Sequence, residues 1–250
     1  MDFTVKKYKE LLNSLLNQNY TFQTFNEFLQ NPEDRAIVLR HDVDLLPLNS
    51  LRFAKIQAEN NLKGVYYFRA VPESWDEAII KEIASLGHEI GYHYENLTTC
   101  NGDIHNGIKD FENNLIALRK LAPVYTICMH GSPMSKYDSK ELWKHYDYKD
   151  YEIIGEPYFD VDFNMVFYLT DTGRRWDGHN VSVRDRVSTN FKHSFHSTQE
   201  IIESAHKDEL PDKIMFTFHP QRWNHNFYLW SKEFVFQNIK NIIKKVVYVK

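Results

Sequence analysis

The stretch AIVLRHDVDLLP, residues 36–47, begins with four apolar residues and then places Arg40, His41, Asp42 and Asp44 within five positions. Similar short apolar runs alternate along the chain with longer segments of helical period. Continuous apolar strands that alternate with helices are typical of a parallel sheet covered on both faces, and its closed form is a (β/α) barrel. We therefore predict an α/β fold of parallel strands with outer helices, in a single domain over 1–250. The helices of residues 1–35 are expected to form a peripheral extension of that domain.

Composition narrows the class of protein. The chain has 250 residues, of which 42% are hydrophobic, and a formal net charge of -4 without a long Lys/Arg run. This charge favours neither nucleic acid nor an anionic membrane as a partner. No apolar run is long enough for an integral membrane segment, the N-terminus lacks an apolar signal core, and two cysteines do not make a disulfide framework. We expect a cytoplasmic protein.

Polar side chains that can bind a metal follow several predicted strands, where the chemistry of parallel α/β folds is found. The strands predicted over 36–42, 88–93, 124–130 and 213–219 carry these residues at or just beyond their C-terminal ends: His41, Asp42 and Asp44; His93 and Glu95; His130; His219. The C-terminal ends of parallel strands meet at one edge of the sheet. We therefore expect these side chains to converge.

The pair Asp42 and Asp44 suggests a cation. Residues two apart on a strand share a face, and two neighbouring carboxylates repel each other unless a cation lies between them. A mixture of histidine and carboxylate suits Zn²⁺, and also Ni²⁺, Co²⁺, Mn²⁺ or Fe²⁺. The alternative is structural: Asp44 would cap the helix that begins near Pro47, and Asp42 would pair with Arg40.

The position of each histidine on its predicted strand indicates whether it is a ligand, an acid or a structural residue. His88 and His93 are five apart and so face opposite sides of a strand; we interpret His93 as a ligand and His88 as structural. His130 is either a ligand or a residue that stabilises the GSP turn after it. His219 precedes a proline, which favours extended backbone, and can deliver a proton to a leaving group. Its alternative is a buried structural histidine.

Taken together, IVLRHDVD, GVYYF, GHEIGYH and IMFTFHP resemble the motifs of the polysaccharide deacetylases, the NodB-type carbohydrate esterases of family 4. The resemblance covers roughly residues 35–220, and segments such as MHGSP resemble a subgroup associated with surface-polysaccharide gene clusters. It implies a distorted (β/α) barrel and a divalent metal held by one Asp and two His. It also implies an Asp base and a His acid that together remove acyl groups from amino sugars.

Carried onto this chain, the resemblance makes Asp42 and His93 metal ligands and His219 the general acid. The general base is Asp44 or His41, and a one-residue shift would make Asp42 the base and Asp44 the ligand. The position of the second metal histidine holds Leu97. His130 or Glu95 would then supply the third ligand. A lost ligand is also compatible with an inactive sugar-binding protein, and the donor set with another metal hydrolase such as a phosphoesterase.

The segment YLTDTGRRWDG, residues 168–178, is dense in groups that recognise polar ligands. Arginine binds phosphate or carboxylate through two parallel N–H groups, and tryptophan stacks on sugar rings. We therefore predict substrate contacts from Asp171, Arg175 and Trp176, and from Arg222 beside His219. The expected substrate is an acylated amino sugar, free or linked to a nucleotide or lipid. The alternative is a surface loop with internal Arg–Asp pairs.

Overall fold

The computed structural model describes residues 1–132, 135–177 and 186–247, with side chains up to residue 242 in the last helix. Within these ranges, no helix is long and apolar enough to cross a membrane. The helices and strands alternate along the chain in this order: α1 Val5–Leu16, β1 Thr21–Gln23, α2 Phe25–Gln30, β2 Ala36–Val43, α3 Pro47–Glu59, β3 Val65–Phe68, α4 Glu77–Ser85, β4 Glu89–Tyr94, α5 Asn96–Thr99, α6 Ile104–Arg119, β5 Val124–Met129, α7 Pro157–Asp160, β6 Phe167–Thr170, α8 Thr198–His206, β7 Lys213–Phe218 and α9 Phe227–Val247.

The strands form one seven-stranded sheet in which every pair is parallel. Six strands follow the order β5-β4-β3-β2-β7-β6, and the seventh, β1, pairs with β2. Strand β2 is central. Its residues Ala36–His41 pair with β7 on one edge. On the other edge its first half pairs with β1 and its second half with β3. The predicted α/β fold with parallel strands and outer helices is therefore confirmed.

Side chains on the two faces of the sheet belong to two apolar clusters. One cluster contains Ala36, Val38, Tyr67, Cys128 and Met215, and we call the face that carries them the inner face. The larger cluster includes alternate residues of the same strands together with residues of the surrounding helices, and we call its side the outer face. The alternation follows from the pleat of an extended strand, which turns successive side chains to opposite sides.

Residues 1–35, predicted to be a peripheral extension, contact the sheet directly. Thr4 caps helix α1, and its side chain accepts a hydrogen bond from the Lys7 backbone N–H. Tyr8 and Leu11 of this helix are fully buried in the outer-face cluster. Strand β1 then joins the sheet beside β2. The apolar stripe of α1 thus covers part of the sheet, so these residues are integral to the domain core.

The strand predicted over 151–156 is also not formed. Residues Tyr148–Tyr151 make a short 3-10 helix, and Gly155 forms an isolated parallel bridge with Thr126. Between them Glu152 adopts left-handed backbone, with φ at 58°, and this conformation interrupts an extended segment. In the part of the chain that the structure describes, no strand pairing joins β5 to β6, so the sheet is not closed by hydrogen bonds there.

Candidate metal and catalytic site

The carboxylate of Asp44 lies at the C-terminal edge of the sheet, facing three histidines. Its Oδ1 is 3.7 Å from Nε2 of His93 and 3.5 Å from Nε2 of His130. Its Oδ2 is 3.9 Å from Nε2 of His219. These four residues follow or end β2, β4, β5 and β7. The predicted convergence of strand-end side chains is therefore observed for this group.

Asp42 lies beside this group and is held by Arg40. Both carboxylate oxygens of Asp42 accept hydrogen bonds from Arg40, from Nε at 2.8 Å and from Nη2 at 2.7 Å. Its Oδ2 is also 3.6 Å from Nε2 of His93. Burial alone would raise the pKa of Asp42, but the charges of Arg40 and His93 outweigh it and lower that pKa to about 2. The pairing of Asp42 with Arg40, one of the two structural alternatives, is thus present. The other is not, because Leu46 precedes α3 and no side chain caps that helix.

His41 does not reach the site, which corrects its expected role as a catalytic base. It lies on the outer face, one residue out of phase with Asp42, where its ring stacks on Tyr66 at 4.1 Å between centroids. Nδ1 of His41 donates to the Val65 carbonyl at 3.0 Å, and Nε2 is 2.8 Å from the Gln57 amide nitrogen. Burial lowers the pKa of His41 to about 3, so the ring is uncharged.

The two histidines nearest Asp44 are oriented through their other ring nitrogen. Nδ1 of His93 lies 2.8 Å from the Cys128 carbonyl oxygen, which can only accept, so Nδ1 carries the proton. Nδ1 of His130 lies 2.8 Å from a carboxylate oxygen of Glu95, whose pKa is lowered to about 2 despite its burial, chiefly through His130 and Arg69. In both rings Nε2 is the atom that faces Asp44, and in a neutral imidazole protonated on Nδ1 this atom carries the lone pair. Such hydrogen bonds to the far nitrogen are typical of metal-binding histidines.

This donor set fits a divalent cation. Oδ1 of Asp44 is buried and has no hydrogen-bond partner among the described residues. Two imidazole lone pairs and an unpartnered carboxylate oxygen repel one another unless a cation lies between them. Donor atoms of Asp42, His93 and Cys128 also lie within 4.8 Å of one another. Nitrogen, oxygen and sulphur donors of this kind suit Zn²⁺ and related ions.

Glu95 is less suited to bind a cation directly than His130. Its carboxylate accepts from Arg69 Nε at 2.7 Å, from His130 and from the Ser132 hydroxyl at 3.0 Å. Glu95 therefore orients His130. His130 was predicted to be either a ligand or a residue that stabilises the following turn. Its Nδ1 also lies 3.0 Å from Ser132 in that turn, so both roles are compatible with the structure.

His219 is held from behind by Asp171. Nδ1 of His219 is 2.6 Å from Oδ1 of Asp171, and the His219 backbone N–H donates to Oδ2. The same carboxylate accepts from Arg222 Nη1 at 2.9 Å and from Trp223 Nε1 at 2.6 Å. Burial and Arg222 lower the pKa of His219, but Asp171 and Asp44 outweigh them, so it lies above its ordinary value. Asp171 is fully buried, and Arg222 is nearly so. Substrate contact by these two residues, as predicted, stays a prediction; in the structure Asp171 pairs with His219, and Arg222 donates to Asp171.

The other predicted substrate residues also lie elsewhere. Trp176 is a core residue, 4% exposed, whose Nε1 donates to Thr198. It packs edge-on against Phe216 and Phe218, which leaves no face free for a sugar ring. Arg175 forms a two-point ion pair with Asp177, as the loop alternative predicted.

Some residues near Asp44 were missed from the sequence. Gln221 donates from Nε2 to Oδ2 of Asp44 at 3.1 Å, and Arg69 donates to the Asp44 carbonyl at 3.1 Å. Arg69 directly follows β3, so the strand-end rule would have found it. No simple pattern marks Gln221. Leu97, at the position of the missing histidine, is buried in the core, while His88 bonds to the Gly64 N–H and the Ala54 carbonyl, a structural role as predicted.

Comparison with known proteins gives matches among solved structures. No family model and no curated protein matches the chain. A family 4 carbohydrate esterase of Streptococcus mutans is 12% identical with a TM-score of 0.47, over 89% of this chain and 87% of that one. A peptidoglycan deacetylase of Bacillus subtilis, solved as a mutant, is 8% identical with a TM-score of 0.43, over 86% of each chain.

A family 4 pseudoenzyme of Bacillus anthracis is 12% identical with a TM-score of 0.44, over 85% of this chain. The chain spans 62% of the length of that protein. With identities of at most 12% and TM-scores below 0.5, the likeness carries no conclusion about fold or activity. The structures from Streptococcus mutans and Bacillus anthracis are described as members of carbohydrate esterase family 4, the family whose motifs this sequence resembles.

Proposed function

We propose that this protein is a metal-dependent hydrolase that removes an N-acyl group, an acetyl group in the first instance, from an amino sugar. The single observation that carries the proposal is the buried, unpartnered Oδ1 of Asp44 facing the Nε2 atoms of His93 and His130. His219, which pairs with Asp171, would be the acid, and it faces the other oxygen of the Asp44 carboxylate. A cytoplasmic role in surface-polysaccharide synthesis or modification belongs to the same proposal.

Asp44, His93 and His130 would hold the cation. This exchanges the predicted roles of the two carboxylates, because both oxygens of Asp42 are engaged by Arg40, whereas Oδ1 of Asp44 is unengaged among the described residues. A divalent cation bound there would lower the pKa of a water molecule toward about 7 and polarise the acyl oxygen.

Asp42 would act as the base. Its lowered pKa keeps the carboxylate ionised, although it also makes the group a weaker base. Oδ2, the oxygen nearest His93, would accept the proton from water. Arg40 fixes the orientation of the carboxylate and does not compete for the proton, because a guanidinium stays charged.

His219 would donate the proton that the departing amine needs. With Nδ1 committed to Asp171, the proton available for transfer lies on Nε2, the atom that faces Asp44. The raised pKa of His219 favours retention of that proton.

The test measures metal content and acetate release in the same preparations. Wild-type protein should contain about one divalent ion per chain and release acetate from N-acetylated amino sugars. Asp44→Asn and His93→Ala should lose both. Asp42→Asn should keep the ion and lose acetate release, which separates the base from the ligand. Asp34→Asn and His105→Ala, at exposed positions, are the matched controls.

Three results would contradict the proposal or its assignments. Full metal content in Asp44→Asn together with loss of metal in Asp42→Asn would restore the original assignment of the two carboxylates. Metal-free protein that binds amino sugars without cleaving them would indicate a sugar-binding pseudoenzyme. Release of phosphate and no acetate would indicate a phosphoesterase.

A further inference from the structure

Helix α9 turns polar side chains toward the domain. Nε1 of Trp230 donates to the Asp2 carbonyl at 2.7 Å, and the Asn241 amide donates to the Gly173 carbonyl at 2.8 Å. Gln237 lies between them on the same face of the helix and is 5% exposed. In an ordinary surface helix, amide side chains of this kind point to solvent and the apolar residues pack on the core. Helix α9 therefore packs on the domain with its two faces exchanged.

The opposite face of α9 is apolar and exposed to solvent. We call Tyr228, Val235, Phe236 and Ile239 the α9 stripe, and these side chains are 73%, 54%, 54% and 51% exposed. Their spacing places them along one side of a helix with 3.6 residues per turn. Single exposed apolar residues are common, but a row of four large ones on one helix face marks an interaction surface.

The charges beside the α9 stripe are positive. Lys232 and Lys240 are exposed, whereas Glu233, the only acidic residue of α9, is partly buried. Burial lowers the pKa of Arg174, and the charge of Glu233 acts in the opposite direction, so Glu233 serves the domain side of the helix. From residue 227 to residue 250 the sequence has five lysines and this one acidic residue, although the whole chain has a formal net charge of -4. The overall charge therefore conceals a local positive region.

We propose that the α9 stripe docks on the surface of an anionic phospholipid membrane. A helix with aromatic and branched apolar side chains on one face, and lysines beside them, lies in the plane of the membrane interface. The apolar side chains enter the acyl boundary, and the ammonium groups meet the lipid phosphates. Lys232, which lies next to the stripe, can bury its methylene groups and extend its charge to the headgroups.

A second copy of the chain fits this surface less well. A symmetric pairing of two stripes centred on Phe236 would bring Lys232 of one copy against Lys240 of the other. Like charges placed together across an interface oppose association, whereas an anionic membrane pairs with both lysines. The membrane surface is independent of the proposed deacylation, because none of Asp44, His93, His130 and His219 belongs to α9.

Co-sedimentation of the full chain with large unilamellar vesicles tests the proposal. Vesicles of phosphatidylcholine and phosphatidylglycerol in equal parts should bind the protein, and phosphatidylcholine alone should bind it much less. Raising NaCl from about 0.05 M to about 0.5 M should weaken the binding. Ile239→Glu should weaken it about tenfold or more, because a carboxylate replaces an apolar side chain at the acyl boundary. Ile116→Glu makes the same change on α6, at a position that is 48% exposed, and should bind as wild type does.

Three results would overturn the proposal: no binding of wild type to the anionic vesicles, equal binding by Ile239→Glu, or equal binding to phosphatidylcholine alone. A wild-type dimer in light scattering that Ile239→Glu converts to a monomer, without vesicle binding, would assign the α9 stripe to a second copy. If Ile239→Glu does not fold, hydrogen exchange on wild type decides. Anionic vesicles should slow amide exchange in residues 227–242, and protection confined to other segments would reject the surface.

Discussion

The buried carboxyl of Glu156 provides a quantitative test of the structure around the end of β5. Glu156 is fully buried, and its two oxygens accept the backbone N–H groups of Met129 at 3.0 Å and Tyr158 at 2.5 Å. Burial raises the pKa of Glu156 from 4.5 to about 7, although these two hydrogen bonds lower it. The perturbation is Glu156→Gln, which removes the ionisation and keeps the shape.

The magnitude follows from linkage between protonation and folding. In the unfolded chain this carboxyl ionises at its ordinary pKa, so the folded state binds more protons between that pKa and about 7. Stability therefore rises as pH falls through this window, by about 3 kcal/mol in total and about 2.5 kcal/mol between pH 8 and pH 5. The glutamine variant lacks this pH-dependent contribution to the free energy of unfolding. It loses one acceptor, at a cost of about 1–3 kcal/mol, but that cost does not change with pH.

Urea unfolding at the two pH values measures the difference. Wild type should gain about 2.5 kcal/mol more than Glu156→Gln when pH is lowered from 8 to 5. Glu59→Gln, on the exposed end of α3, should follow wild type. Equal pH dependence in wild type and Glu156→Gln would refute the reasoning, because it would show that Glu156 ionises normally in the folded protein.

Further substitutions test the roles of residues around the site. Trp176→Ala should lower the free energy of unfolding by about 3–5 kcal/mol in urea titrations, because it empties a core position; a normal midpoint with lost sugar binding would restore its role as a stacking residue. Arg40→Met should cost about 3–5 kcal/mol by leaving Asp42 buried and unpaired, and adding Asp42→Asn should recover part of that loss; no recovery would mean that packing, not charge, is the role of Arg40. Asp171→Asn should lower the pKa of His219, observed by NMR titration of its ring protons, because Asp171 raises it in the wild type; an unchanged titration would contradict the positioning role.

The amino-acid sequence by itself determined the alternation of parallel strands with helices and the location of the candidate site. Apolar runs are local features, and their alternation with helical segments predicts parallel strands whose C-terminal ends meet. Asp44, His93, His130 and His219 were found by this reasoning. The pleat of the strand, also local, places Asp42 and Asp44 on one face and His41 on the other, so the misplacement of His41 was avoidable from the sequence.

Tertiary structure alone decided which groups became partners. Three pairings depend on how the strands and loops pack together. Arg40 engages both oxygens of Asp42, Asp171 is turned inward behind His219, and Trp176 fills the core. Pattern reasoning reports residue type and spacing along one segment. A hydrogen bond or ion pair depends on distance and burial between segments, so whether a charged or aromatic side chain meets substrate or another residue is decided only when the chain is folded.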